Sequence, residues 1–440
     1  SNNSASLLLR DGTEIRVGPS AANGTGKSLS AALSAGDVVR LRPSGDSFVL
    51  AQIPKAQAAL ISLQPEDGAL RAIVGGFSYN TSGFNRATQA KRQPGSSFKP
   101  FVYTAAFERG YSPSSVVLDA PVVFKDRNGN VWRPQNDRGG FKGPMRLREA
   151  LVQSRNLVSV RLLDGIGVNF ARDYITRFGF AKEALPPNLS MSLGTASLTP
   201  LSVARGYTVF ANGGFLIEPY YIKSVTSPAG VIIGYTHPKR ACGQCPERLA
   251  GDTSKAVVVD GFDLSDAGLA QDELVHAGAR FDPSTPGPPG TALAPQSIDP
   301  RNAFLISDMM LDVVRRGTAV QAKVLERADI GGKTGSTNNH RDAWFVGFGG
   351  DLVTAVWVGK DDFKPLGSGE YGGRAALPIW IDYMRAALNG VPLKLMEPPV
   401  GIIKSPNGDY FKQEQYDLEM QQVPSSENYD EQPEQAYDIF

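Results

Sequence analysis

Apolar positions change their period along the chain, and the changes divide it. Up to residue 56 the apolar runs are short and alternating. Leu7-Leu8-Leu9 meets an Asp11-Gly12 turn, and Thr13 to Val17 alternates behind it. Val38 to Arg42, a Pro43-Ser44-Gly45-Asp46 turn and Phe48-Val49-Leu50 repeat the pattern. Period-two segments broken by turn residues predict strands, here a small β-barrel or part of one. Leu60 to Leu63 and Leu70 to Val74, joined through Pro65-Glu66-Asp67-Gly68, predict a hairpin of a larger sheet.

Helical patterns take over after Ser96. Phe98, Phe101, Val102, Ala105, Ala106 and Phe107 surround one helix with apolar side chains before Gly110 stops it, which predicts a buried central helix. Leu147 to Val152, Pro200 to Phe210 and Asn302 to Arg316 read as further helices. Asp329 to Ser336, Ala343 to Phe348 and Val353 to Val358 then predict strands with tight polar turns, hence an antiparallel meander. Gly331-Gly332 is expected to leave room for another backbone nearby. The predicted fold is therefore α+β, an antiparallel sheet flanked by helices, preceded by a small all-β domain.

Two stretches depart from these patterns. Residues 236–300 are rich in Gly, Pro, Asp and Ala and are expected to form a surface insertion. Residues 421–440 carry acidic side chains with no Lys or Arg, which predicts a disordered tail.

Composition adds bounds. The chain has 440 residues, 41% apolar and 20% charged, room for roughly two or three domains with a sizeable core. A net charge of +1 gives no pointer to nucleic acid. No run of eighteen or more apolar residues occurs, so no membrane-spanning segment is expected within it. The chain opens on Ser1-Asn2-Asn3 without an initiator Met, which leaves room for segments upstream. The two cysteines, Cys242 and Cys245, lie in the insertion. A zinc site would need two more ligands. A local disulfide is the better reading, and it fits an oxidising compartment. Gly24-Thr25-Gly26-Lys27-Ser28 resembles a phosphate loop, but Ala21 stands where that motif needs Gly, so a plain loop is expected.

The chemistry starts at Ser96-Ser97-Phe98-Lys99, the one place where a Ser precedes a Lys by three residues. A helix starting at Ser96 would set Lys99 over the Ser96 hydroxyl. A lysine with a depressed pKa can then act as the base that activates the serine. Alone, this spacing is more often a solvated helix start. Two further motifs change that balance. Ser154-Arg155-Asn156 follows a predicted buried helix, and Lys333-Thr334-Gly335-Ser336 falls on a predicted strand. Ser-x-Asn is common here, recurring at Ser1, Ser78, Ser336, Ser405 and Ser426, so its place between the other two motifs selects Ser154. No Gly-x-Ser-x-Gly elbow accompanies His237, His276 or His340, which read as surface histidines. Trp344, Trp357 and Trp380 read as core residues.

These motifs, in this order, are a known signature of penicillin-binding proteins and class A β-lactamases. Further segments extend the match: Phe84 to Ala90, Arg92 to Phe101, Ser192-Leu-Gly-Thr, Thr199-Pro-Leu, Phe210 to Gly214, Gly332 to Ser336, and Arg341 to Gly347. Over about residues 57 to 385 the chain resembles the transpeptidase part of class A, high-molecular-weight penicillin-binding proteins of the 1a type. The resemblance implies a five-stranded serine transpeptidase or β-lactamase-like fold over residues 57–420 and an OB-like domain over 1–56. It implies Ser96 as nucleophile, Lys99 as its base, Ser154 as proton relay, Asn156 as a ligand of Lys99 and substrate, and Lys333 as an electrostatic group. Thr334, Gly335 and Ser336 would form the substrate-binding strand, and the Ser96 and Ser336 amides the oxyanion hole. It implies D-Ala-D-Ala stem peptides as substrates, β-lactams as covalent inhibitors, and no metal or cofactor. It also implies a periplasmic location with the anchoring helix upstream, and cell-wall synthesis proteins as candidate partners. The family's glycosyltransferase motif is not found in this chain. Three alternatives share the signature: a D-Ala-D-Ala carboxypeptidase, a β-lactamase and a β-lactam sensor without turnover. A class A β-lactamase needs a Glu-x-x-x-Asn loop. Glu183 to Asn188 is one residue too long for it.

Overall fold

The computed structural model describes residues 3–125, 131–137, 139–243, 245, 258–259, 262–263, 292–406 and 408–416. The expected acidic tail, residues 421–440, and most of the 236–300 insertion lie outside the described residues. The chain divides into two compact units, Ser1–Lys55 and Ala56–Phe440.

The first unit pairs β1 (Ala5–Leu8) with β2 (Glu14–Val17), and β3 (Arg40–Ser44) with β4 (Ser47–Ala51), as two separate antiparallel hairpins. Val17, Ala21, Ala22 and Leu29 form its small core, with Leu7, Ile15, Phe48 and Leu50 packed on it.

The second unit is built on one five-stranded sheet. Its members are β5 (Ala56–Leu63), β6 (Leu70–Val74), β7 (Gly331–Ser336), β8 (Asp342–Gly349) and β9 (Leu352–Lys360). The order is β7-β8-β9-β5-β6, every pair antiparallel. An early hairpin and a late meander, separated by more than half the chain, thus close into a single sheet through β9 and β5. Every residue of β8 is buried, as its nearly continuous apolar run requires of a strand covered on both faces. Of the glycines that open β7, Gly331 makes room for a side chain and Gly332 for the neighbouring backbone as well. A Cβ at Gly331 would strike the Phe348 ring, and one at Gly332 would strike the Phe345 ring and the Val346 carbonyl.

The helices that matter for the site are α1 (Lys99–Glu108), α2 (Leu147–Val152), α3 (Asn156–Ile166), α4 (Pro200–Ala211), α5 (Pro300–Arg316) and α6 (Leu377–Ala387). Residues Lys99 to Phe107 are all buried, so α1 is the central helix its all-round apolar sequence predicts. Phe101 anchors it through ring contacts with Phe98, Phe178, Phe180, Tyr207 and Phe210. Helix α4 lies against β5 and β9, α5 against β7, and α6 against β8 and β9. Trp344, Trp357 and Trp380 are fully buried. Their indole N–H groups donate to Gln93 O, Asp342 Oδ1 and Thr354 O, which satisfies the one polar atom each brings inside.

The two ends of the insertion are tied together. Arg240 N donates to Ala292 O and Ala294 N to Arg240 O, while Phe215, Ile217 and Ala294 pack beneath. Cys242 and Cys245 are joined as a disulfide.

Candidate active site

Ser96 sits in a 3-10 turn, Gly95–Phe98, rather than in the α-helix, which begins at Lys99. This turn is wedged against the end of β7. A Cβ on Gly335 would overlap the Pro94 carbonyl oxygen, and a Cβ on Gly95 would overlap Ser336 O. Gly95 also has φ of 56°, in the left-handed region. Both positions therefore require glycine, and their close approach brings the Ser96 turn against the Lys-Thr-Gly strand.

The three motifs converge on one cleft of about 450 Å³. Ser96, Ser154, Thr334 and Ser336 line it. Lys99 and Lys333 lie beneath, both fully buried. Lys99 Nζ does not hydrogen-bond to Ser96. It donates instead to Ser154 O at 2.7 Å, to Asn156 Oδ1 at 2.7 Å and, more loosely, to Ser154 Oγ at 3.4 Å. A fully buried ammonium needs several acceptors, and this set supplies them. Lys333 Nζ donates to Ser154 Oγ at 2.8 Å and to Thr334 O at 3.2 Å. Ser154 thus receives both lysines, Lys99 chiefly on its carbonyl oxygen and Lys333 on its hydroxyl. Its φ of 57° is unusual for a residue other than glycine and marks a turn held by its surroundings.

Burial holds the Lys99 ammonium down to about 7, with Asp137 opposing the shift and Arg155 reinforcing it. Lys333 is pushed well below its ordinary value, again by burial, and then by the nearby charge of Lys99. Two adjacent buried lysines cannot both hold protons cheaply, so neutral amine is present near neutral pH.

On the strand, Thr334 Oγ1 shares a hydrogen bond of 2.7 Å with Thr318 Oγ1, and Ser336 Oγ accepts from Gly372 N at 3.0 Å. Asn156 opens α3. Its backbone N donates to Asn136 Oδ1 at 2.8 Å, and its side-chain Nδ2 donates to Gln135 O and Asp137 Oδ1, both at 2.9 Å. The amide is therefore engaged on both sides, and a substrate group would have to displace a partner to reach it. Behind it the buried Asp119 collects Arg155, Asn136 Nδ2 and the Lys142 backbone N.

Sequence patterns did not flag Asn136, Asp137, Thr318 or Tyr371, all of which line the cleft. Residues 133–142 have neither helical nor strand period, and their partners are remote in sequence. His340, read above as a surface residue, is half-buried and lines the cleft beside Asn338 and Asn339. The polar turn between β7 and β8 exists, and its residues line the cleft. An aromatic neighbour, Tyr371, lies 6.4 Å away between ring centres.

Comparison with known proteins identifies the family. The family model for the penicillin binding protein transpeptidase domain matches residues 58–247. A penicillin-binding protein 1A of Pseudomonas aeruginosa is 46% identical over 377 residues, covering 84% of this chain and 45% of that protein. One of Neisseria lactamica is 43% identical over 381 residues, covering 86% and 42%. The crystal structure of penicillin-binding protein 1A from Haemophilus influenzae superposes with a TM-score of 0.80 at 35% identity, over 94% of this chain and 61% of that one. PonA1 of Mycobacterium tuberculosis, solved with penicillin V, gives 0.57 at 25% identity, over 79% and 82%. The chain spans less than half the length of the curated relatives it matches. Fold and family model together define a penicillin-binding protein transpeptidase domain. The chain belongs to the penicillin-binding proteins, and among them to the 1A type.

Proposed function

We infer that this chain is a serine D,D-transpeptidase that cross-links peptidoglycan stem peptides and is acylated by β-lactams. The supporting observation is the convergence of Ser96, Lys99, Ser154, Asn156, Lys333, Thr334 and Ser336, from three distant segments, on one cleft. In this reading neutral Lys99 takes the Ser96 proton, and Ser96 Oγ attacks the carbonyl between the two terminal D-Ala residues. The C–N bond breaks, and Ser154, between the two lysines, passes a proton to the departing D-Ala amine. Thr334 and Ser336 bind the terminal carboxylate, and Lys333 becomes its counter-ion. That gives the buried Lys333 amine a reason to hold a proton only when ligand is present. The backbone amides of Ser96 and Ser336 hold the oxyanion, such donors contributing about 3 kcal/mol each. A second stem peptide then supplies an amine that takes the acyl group.

The reading extends to location and surroundings. The enzyme works in the periplasm, anchored by a segment upstream, and the first unit belongs to an OB-like module. Among the described residues no helix is long and apolar enough to cross a membrane. The test is a stem peptide ending in D-Ala-D-Ala, given together with an amine acceptor. Cross-linked product with one D-Ala released per link supports the reading. Release of D-Ala with hydrolysed peptide alone would make the chain a carboxypeptidase.

A further inference from the structure

One charge in the cleft has no part in the scheme above. Among the described residues that line the cleft, Asp137 is the only acidic side chain. It is exposed, whereas the cationic groups around the nucleophile are not: Lys99 and Lys333 are fully buried, and Arg155 is locked onto Asp119. Asn156 holds the carboxylate in place. Its Nδ2 donates to Asp137 Oδ1 at 2.9 Å, while its Oδ1 accepts from Lys99 at 2.7 Å. The carboxylate is thus one amide away from the amine that serves Ser96. The strand wall, by contrast, offers hydroxyls and amides from Thr334, Ser336, Thr337 and Asn338. The cleft is therefore polarised, with carboxylate-binding hydroxyls on one wall and a single negative charge on another.

We propose that Asp137 docks the cationic amine of the acceptor peptide. The inference rests on the transpeptidase reading and names the group that would recognise its second substrate. An alkyl amine is an ammonium ion at neutral pH and reaches the cleft charged. A carboxylate at the lining raises its local concentration and orients it. The lysines beneath oppose it little, because burial disfavours their own charge. The ammonium then loses one proton to solvent. The neutral amine attacks the Ser96 ester carbonyl, the new C–N bond forms and the C–O bond to Ser96 Oγ breaks. A second amine proton returns to Oγ through Lys99, so the free serine is regenerated and one proton is released.

The experiment acylates the full 440-residue chain with an ester donor that lacks a free amine. It then measures amide product against hydrolysis for two acceptors, a peptide bearing an ammonium group and hydroxylamine, which is largely neutral at the same pH. Asp137→Asn should raise the half-saturating concentration of the ammonium acceptor roughly fivefold, and shift that of hydroxylamine less. Asp137→Glu should restore most of the difference. A merely structural role would move both acceptors alike, and that result overturns the inference. An unchanged ammonium response overturns it as well. A wild-type chain that is acylated yet never forms amide overturns the transpeptidase reading itself.

Discussion

At the scale of single residues the site works through burial. Lys99 has no carboxylate directly on it. Desolvation takes its pKa to about 7, so a neutral amine exists at neutral pH without a dedicated partner. The sign of the pH dependence follows. In the proposed mechanism neutral Lys99 is the active form, so β-lactam acylation should rise with pH through about 7 and level off above it. Stopped-flow acylation between acid and mild alkali measures this, and a flat profile would remove Lys99 as the base. Lys333→Ala should slow acylation on the order of a hundredfold, because the ligand carboxylate loses its counter-ion and Ser154 loses a donor. Unchanged acylation kinetics would count against that role. That Ser96 and Lys99 lie next to one another at the start of α1 could be read from their spacing. The path between them could not. The amine reaches Ser154 and Asn156 rather than the Ser96 hydroxyl, since three acceptors outcompete one for a buried ammonium.

At the scale of elements the question is what holds the nucleophile turn against the β7–β8 hairpin. Arg92 precedes the turn, and Asp342 starts β8. Their side chains meet at 2.6 Å with 3% and 5% exposure. Asp342 Oδ1 also accepts from Trp357 Nε1, the Arg92 guanidinium donates to Lys360 O, and it stacks over the Trp357 and Phe363 rings. Removing one partner of such a buried pair leaves an uncompensated charge. Asp342→Ala should therefore cost about 3 kcal/mol or more in denaturant unfolding. A loss below about 1 kcal/mol, the range of exposed pairs, would show that the clamp is unimportant. The strands themselves were legible because β7, β8 and β9 follow one another with short turns. The β5–β9 pairing was not, because no local pattern tells which distant hairpin edge a strand will join.

At the scale of the molecule every motif residue and the whole sheet lie in the second unit, which has its own large core. A chain beginning at Ala56 should accordingly be acylated at a rate within about twofold of the full chain. A chain that folds but no longer reacts would show that the first unit is needed for activity. The class of fold and the cleft's motif residues were readable from Ser96, Ser154 and Lys333 in order. The loop carrying Asn136 and Asp137 was not, because its meaning lies in contacts to Asn156 and Asp119 made only after folding. The central claim is that Ser96 is the group that becomes acylated. Its most direct measurement is the intact mass of the chain after exposure to a β-lactam, with the adduct mapped to a peptide and followed for hours. One stable adduct on the Ser96 peptide, absent from Ser96→Ala, is the expected result. Undiminished labelling of Ser96→Ala, or an adduct lost as fast as it forms, would contradict it.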